Sequence, residues 1–261
     1  MNIIFENDKY LVINKPSGLV VNSSETTHAS TLQRELSKHF NLKKGDLGIG
    51  DRAGIVHRLD KETSGVLVVA KTSEVFEYLQ GEFKDRRVKK EYLALVHGLV
   101  KDDSGEIKSR IERIGKFGKF GNLGKREPGG REAETHYQVV KRYFFLDTEF
   151  ERIMQRFSET LNKARINYLN KNAKAYTLVK VFPKTGRTHQ IRVHLKSIGH
   201  PIVSDLIYAP SKLLKFDLAW CSRLFLHARE IEFIDLDNGK VQKFDVDLPN
   251  ELKSAMLFLK S

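Results

Sequence analysis

Short strand-like and helix-like runs follow one another along the 261 residues without regular βαβ alternation, which predicts an α+β fold. Two further observations support it. Fully apolar runs such as Val66–Ala70 are bounded by turn residues, as buried strands are. Elsewhere apolar residues recur at helical spacing, as at Ile191, Leu195 and Ile198. No internal repeat or low-complexity linker interrupts the pattern, so residues 1–261 are expected to form a single domain.

The elements follow in order. Ile3–Phe5 and Tyr10–Ile13 flank the turn-like Glu6–Lys9 and predict a hairpin, and Lys15–Gly18 predicts a turn. A helix is expected from Ser30, where Ser30 and Gln33 fit a capping box ahead of Leu32, Leu36 and Phe40. Asn41–Gly54 holds four Gly and reads as a loop. Val66–Ala70 is an expected strand, a helix follows from about Ser73, and Lys90–Val96 is another strand. Residues 108–131 hold eight basic residues, two acids and six Gly, with Phe117 and Phe120 interleaved, and predict a basic loop or ribbon.

Thr135–Val140 and Tyr143–Leu146 are read as two strands. Residues 151–170 carry Ile153, Phe157, Leu161, Ala164 and Tyr168 at helical spacing and predict one helix. Ala175–Phe182 is a strand ending at Pro183. The next helix is expected from Thr188, with Gly199 as its C-terminal glycine. His227–Ile234 and Val241–Val246 flank Asp237-Asn238-Gly239-Lys240, a hairpin turn.

Lys and Arg number 45 against 33 Asp and Glu, a net charge of +12 that suits a polyanionic partner, most simply a nucleic acid. The lone cysteine, Cys221, can build neither an intrachain disulfide nor a cysteine-based metal site, which points to a reducing, cytoplasmic setting. Cys221 and Trp220 are read as buried structural residues. No apolar run approaches a membrane span, and Glu6 and Asp8 interrupt any signal-like N-terminus. The pairs His189/His194 and His194/His200 lack the i, i+4 spacing of a helical zinc site. H-E-x-x-H, Walker A, a dinucleotide fingerprint and a G-x-S-x-G elbow are all absent from the sequence.

Two segments are dense in reactive groups. His57-Arg58-Leu59-Asp60-Lys61-Glu62-Thr63-Ser64-Gly65 precedes a buried strand, and a carboxylate there, with Arg and Thr/Ser beside it, can serve as nucleophile or base. A solvated turn with a local Arg–Asp pair explains the same residues. Pro183–Leu195 turns into a helix with Arg187 at its entrance and Arg192 inside it, suited to an anion. Taken by itself, that segment is more simply an ordinary basic helix start. Tyr92, after Lys89-Lys90-Glu91, is either a core aromatic or a base-stacking one.

Taken together and in order, these segments resemble the RluA-type pseudouridine synthases. Asn14-Lys15-Pro16-Ser17-Gly18-Leu19 begins the likeness, and His57–Lys71 is similar to that family's signature H-R-L-D-x-x-T-S-G with its apolar strand and Ala-Lys. Lys90–Gly98, Gly130–Val139, Thr185–Leu195, Gly199–Tyr208 and Leu226-His227-Ala228 complete the set, so the likeness covers roughly residues 3–248.

The resemblance implies the family's fold, a mixed, mainly antiparallel sheet flanked by helices and loops with an active-site cleft across it. It implies isomerisation of uridine in structured RNA, ribosomal or transfer. Asp60 would be the catalytic aspartate and Arg58 its motif neighbour. Tyr92 would be the active-site tyrosine and Arg192 the basic partner of the aspartate, with Arg187 as substitute. RNA contacts would come from His57, Thr63, Arg187 and His189, and from Arg113, Lys116, Lys119 and Lys125 in the basic segment. No cofactor and no metal is expected, no membrane partner, and a monomer.

Simple chemistry agrees with these roles. The C1′–N1 bond must break and C1′–C5 must form, without redox or an external energy source. An ionised carboxylate serves as nucleophile or base, and a neighbouring Arg keeps it ionised. A stacking Tyr holds the detached uracil while it rotates, and the target uridine is expected to be flipped out of its stack. Attack at C1′, attack at C6 and proton removal all fit the sequence.

Many members begin with a small S4 RNA-binding domain. Here the likeness starts at residue 3, so none is expected before it, and the catalytic domain's own surface would grip the RNA. Residues 151–171 form a second departure, a helical segment where relatives have a shorter connection. A non-catalytic RNA-binding protein on the same fold is the competing reading, and Asp60 together with Arg58, Tyr92 and Arg192 favours the enzyme. A two-metal nuclease is disfavoured for want of a carboxylate cluster.

Overall fold

A computed structural model describes residues 1–23, 30–42, 52–114, 119–123, 129–157 and 161–261. In chain order the elements begin with β1 (Ile3–Glu6), β2 (Tyr10–Lys15), α1 (Leu32–His39), β3 (Ser64–Ala70), α2 (Ser73–Lys84) and β4 (Lys89–His97). Next come β5 (Ser104–Ile114), β6 (Lys119–Leu123), β7 (Arg131–Phe145), α3 (Asp147–Phe157), α4 (Lys163–Asn172) and β8 (Ala175–Pro183). The chain finishes with α5 (Gln190–Ser197), α6 (Ser211–Asp217), β9 (Leu226–Ile234), β10 (Val241–Asp245), α7 (Asn250–Met256) and β11 (Leu259–Lys260). The strands are mixed but mostly antiparallel, as the α+β reading requires.

The chain folds as two compact units. The first comprises Met1–Glu91 and His227–Asp247. Its strands run in the order β1-β2-β3-β9, with β10 on β9, and β3 meets β9 in parallel. The second comprises Tyr92–Leu226 and Leu248–Ser261. Its strands run β4-β8-β7-β5-β6, with β11 on β7. A large apolar core fills the second unit, with Phe145, Tyr176, Phe216 and Phe225 almost wholly enclosed. Trp220 and Cys221 lie in that core, as expected, and burial pushes the Cys221 thiol up to about 11.

Several expected boundaries move. Helix α1 starts at Leu32, and its cap is Thr31 rather than Ser30. Thr31 is extended, at φ −123° and ψ 155°, and its hydroxyl accepts from the Arg34 N–H. Most of the expected loop Asn41–Gly54 lies outside the described residues. The two strands read at Thr135–Val140 and Tyr143–Leu146 are one continuous β7. A bulge between Val139 and Lys141 shifts the alternation of side chains and makes one strand look like two.

The single helix read over 151–170 is two helices. α3 begins earlier, at Asp147, with Asp147 and Glu149 in a first turn that favours negative charge. α4 has its own start, because Asn162 is extended and its side chain caps the Arg165 N–H at 2.9 Å. The basic segment forms a hairpin, β5 against β6, registering Arg113 with Phe120 and Ile114 with Lys119.

Helix α5 starts at Gln190, two residues later than expected, since His189 sits in the left-handed region at φ 56°. It ends as read from the sequence. Gly199 adopts φ 86°, the Gly199 N–H reaches the Lys196 carbonyl at 3.0 Å and the His200 N–H reaches that of Leu195 at 3.0 Å.

Candidate active site

In the first unit, the signature residues form a turn held from behind. The Thr63 N–H closes it on the Asp60 carbonyl at 3.1 Å. The buried ammonium of Lys15 donates to the carbonyls of Pro16, Leu19 and Lys61 at 2.8, 3.0 and 3.2 Å. The Gly18 N–H reaches the Lys61 carbonyl at 2.8 Å and the Ser17 hydroxyl that of Glu62 at 2.7 Å. The Lys-Pro-Ser-Gly turn is thus bolted to the Asp60 turn, and a buried cation there is stabilised by carbonyl dipoles. Lys15 is a residue whose work the sequence left unassigned, and its only signal was a lysine between an apolar strand and a proline.

The far end of the turn is fixed by Ser64 and Gly65. The Ser64 hydroxyl and His227 Nδ1 are 2.8 Å apart and buried. Gly65 pairs with Ala228 at φ 121°, where an added Cβ would lie 2.1 Å from the Ala228 carbonyl oxygen. Only glycine fits. Leu59 is buried, Asp60 is half-buried beside it, and Arg58 is exposed.

Thr63 is more enclosed than an RNA contact would be, and His57 is half-buried. His57 Nε2 accepts from the Val68 N–H at 3.0 Å, and its ring stacks on Phe83 with centroids 4.6 Å apart. Burial, and then the charge of Lys90, hold His57 down to about 3, so it is neutral and offers no charge to a phosphate. Lys90 also lies over the Phe83 ring, 5.9 Å from its centroid, and burial holds it down to about 8. Thr63 is only 2% exposed, and its hydroxyl has no hydrogen-bond partner among the described residues. It is an interior residue of the turn and not the surface contact expected.

In the second unit, Tyr92 is half-buried on β4, in register with Val181 on β8. Arg192 is buried inside α5, and its guanidinium forks onto Asp205, Nε to Oδ2 at 2.8 Å and Nη2 to Oδ1 at 2.6 Å. Asp205 is itself fully buried and also accepts from the N–H groups of Ile207 and Tyr208 at 2.9 and 3.0 Å. This carboxylate holds Arg192 rigidly. It belongs to a segment quoted for the resemblance, yet nothing local marked it as the partner.

Gln190 organises the approach to α5. Its Oε1 accepts from the Thr185 hydroxyl at 2.7 Å and the Arg187 N–H at 3.0 Å, while its Nε2 donates to the Glu134 carbonyl and to Thr135 Oγ1. Arg187 is half-buried, its Nε 3.1 Å from the Glu132 carbonyl. His189 Nδ1 is 2.9 Å from the Tyr208 hydroxyl. His194 is buried between Thr135 and Ser109, at 2.8 and 2.9 Å, and Ser109 passes its hydrogen to Asn122 at 2.8 Å.

Of the basic residues expected on the hairpin, Arg113 and Lys119 are exposed on β5 and β6. Lys116 and Lys125 lie outside the described residues. On the neighbouring face, Glu106, Glu134 and His136 come together, but Lys108 pairs with both carboxylates and turns the group into an ion-pair network.

The sequence profile of the family described as RNA pseudouridylate synthase matches residues 9–197. An RNA pseudouridine synthase of Aquifex aeolicus, described as uncharacterized, is 35% identical over 265 residues, spanning 99% of this chain and 73% of that protein. Ribosomal large subunit pseudouridine synthase D of Zymomonas mobilis is 32% identical over 257 residues, spanning 97% and 71%. Among solved structures, Human RNA Pseudouridylate Synthase Domain Containing 4 matches in fold with a TM-score of 0.67 at 24% identity, covering 100% of this chain and 94% of that one. An enzyme that isomerises uridine in RNA is the class that the ordered motifs and the fold define. The chain belongs to the RNA pseudouridylate synthase family, in its RluA-type branch.

Proposed function

We propose that Asp60 is the aspartate that carries uridine isomerisation in this enzyme, and that its substrate is ribosomal RNA. The carrying observation is the Asp60 turn, pinned at one end by Lys15, Ser17 and Gly18 and at the other by Ser64 and Gly65, with the carboxylate left half-exposed. A rigid backbone under an accessible carboxylate is what a positioned nucleophile or base needs. Arg58 stands beside it in the motif. Tyr92 stacks on the base, and Arg192, held by Asp205, supplies the fixed positive charge. The isomerisation balances within the substrate, since C1′–N1 is exchanged for C1′–C5 and the C5 proton is lost as N1 gains one. Neither a metal nor a redox cofactor is required by that balance.

Ribosomal RNA is favoured over transfer RNA because the relatives from Zymomonas, Nitrosomonas and Neisseria are named for the ribosomal large subunit. Arg187, His189 and the β5–β6 hairpin, with Arg113 and Lys119, grip the RNA backbone. Residues 1–261 serve as one catalytic domain in this reading. A net charge of +12 opposes self-association and favours a monomer. The cytoplasm is the proposed location. No helix among the described residues is long and apolar enough to cross a membrane, and Cys221 is a buried free thiol.

Asp60→Asn is expected to abolish pseudouridine formation, read by mapping modified positions in ribosomal RNA, while RNA affinity stays close to that of the wild type. Isomerisation by the Asn variant would overturn the assignment.

A further inference from the structure

Tyr208 has no part in the chemistry described so far, yet three functional features meet on it. Its ring is 2% exposed. Its hydroxyl oxygen accepts the backbone N–H of Phe120, on β6, at 2.9 Å. The same oxygen lies 2.9 Å from His189 Nδ1, at the entrance to α5, and can donate its one hydrogen there. The backbone N–H of Tyr208 donates to Asp205 Oδ1, on the carboxylate that holds Arg192, and the Arg192 guanidinium lies 5.1 Å from the ring centroid.

The geometry around His189 is over-determined. Phe120 and Tyr208 meet its ring nearly edge-on, with centroids at 5.7 and 5.5 Å. Its backbone is left-handed at φ 56°, a conformation a non-glycine residue keeps only where its surroundings fix it. Strand β6 is the end strand of its sheet, so the Phe120 N–H relies on the Tyr208 hydroxyl. Behind these contacts Ile111, Ala133, Val193 and Tyr208 form a small apolar cluster of their own.

We propose that Tyr208 is a positioning residue for uridine isomerisation. Its hydroxyl locks the basic hairpin onto the entrance of α5, so that RNA held by the hairpin stands in fixed register to Arg192. This rests on the reading that the hairpin grips RNA and that Arg192 serves the reacting uridine. Removing the hydroxyl frees the edge of β6 without disturbing the ring beneath Arg192, so substrate capture suffers and the chemical step does not.

Tyr208→Phe tests this. KM for structured RNA is expected to rise about three- to tenfold, the effect of one lost hydrogen bond, with kcat within about twofold of wild type. Amide exchange over 119–123 is expected to quicken while α5 stays protected. Tyr208→Leu, which also removes the ring, is expected to lower kcat as well. A companion variant, Arg113→Ala with Lys119→Ala, tests the hairpin reading itself. If the companion binds RNA weakly but Tyr208→Phe keeps wild-type KM and exchange, the positioning role is overturned and the hairpin reading stands. If the companion binds RNA as the wild type does, the hairpin reading fails and the positioning role falls with it. A loss of thermal stability in Tyr208→Phe with KM unchanged would make the residue a structural prop and overturn the proposal.

Discussion

Gly65 decides how close two strands can come beside Asp60. Any side chain there would strike the Ala228 carbonyl, and its φ of 121° is foreign to other residues. Gly65→Ala is therefore expected to cost about 3 kcal/mol or more, from backbone strain and overpacking together. A urea midpoint close to that of the wild type would contradict this. The glycine stands in the signature with Arg58 and Asp60, because that motif lies in contiguous sequence. Lys15 and Asp205 are not legible in this way. Their partners are carbonyls and a guanidinium brought near by folding, and neither residue type announces its partner. His57, which the resemblance offers as an RNA contact, has its ring packed on Phe83 and accepting the Val68 N–H, neighbours that the sequence does not announce.

Among the elements, strands were read more surely than helix ends. β3 and β4 and the hairpin of β9 with β10 are continuous apolar or alternating runs bounded by turn residues, and their pattern survives folding. The segment 151–170 misled because helical spacing carried across Asn162, whose cap is a property of one side chain and one backbone angle. α5 began late for a similar reason, the left-handed His189. The basic segment reads in sequence as either loop or ribbon, since its glycines hide the β5–β6 register of the fold. Its charge is the testable part. Arg113→Ala with Lys119→Ala is expected to weaken RNA binding and to reduce the steepness of log K against log salt by about 1.4 to 1.8, two phosphate contacts' worth. An unchanged slope would make the hairpin a bystander.

At the scale of the whole molecule, a loss of stability in acid follows from two described histidines that folding keeps neutral. Burial holds His194 down to about 4, and burial with the charge of Lys90 holds His57 down to about 3, both below the unfolded 6.5. Between these values the unfolded chain binds the extra protons. Their stabilisation is therefore complete above pH 6.5 and drains away as pH falls, by up to about 1.4 kcal/mol per pH unit for each histidine. Melting temperature is expected to fall between pH 6.5 and 5, before the carboxylates titrate, and His194→Asn should flatten that fall. A flat profile in the native protein would contradict both assignments. The sequence indicated an α+β chain with a real core, and the buried aromatics of the second unit fulfil it. It could not indicate which histidines lie inside, because that depends on neighbours far along the chain.

The pairing of Ser64 with His227 spans 163 positions. During synthesis the signature motif emerges well before the strand that steadies its far end. Closing so distant a contact is slow compared with forming the hairpin of β1 and β2 or helix α2. A growing chain thus carries Asp60 through the synthesis of more than 150 further residues without the β9 support beside it. The Asp60 turn is therefore complete only once β9 has joined β3.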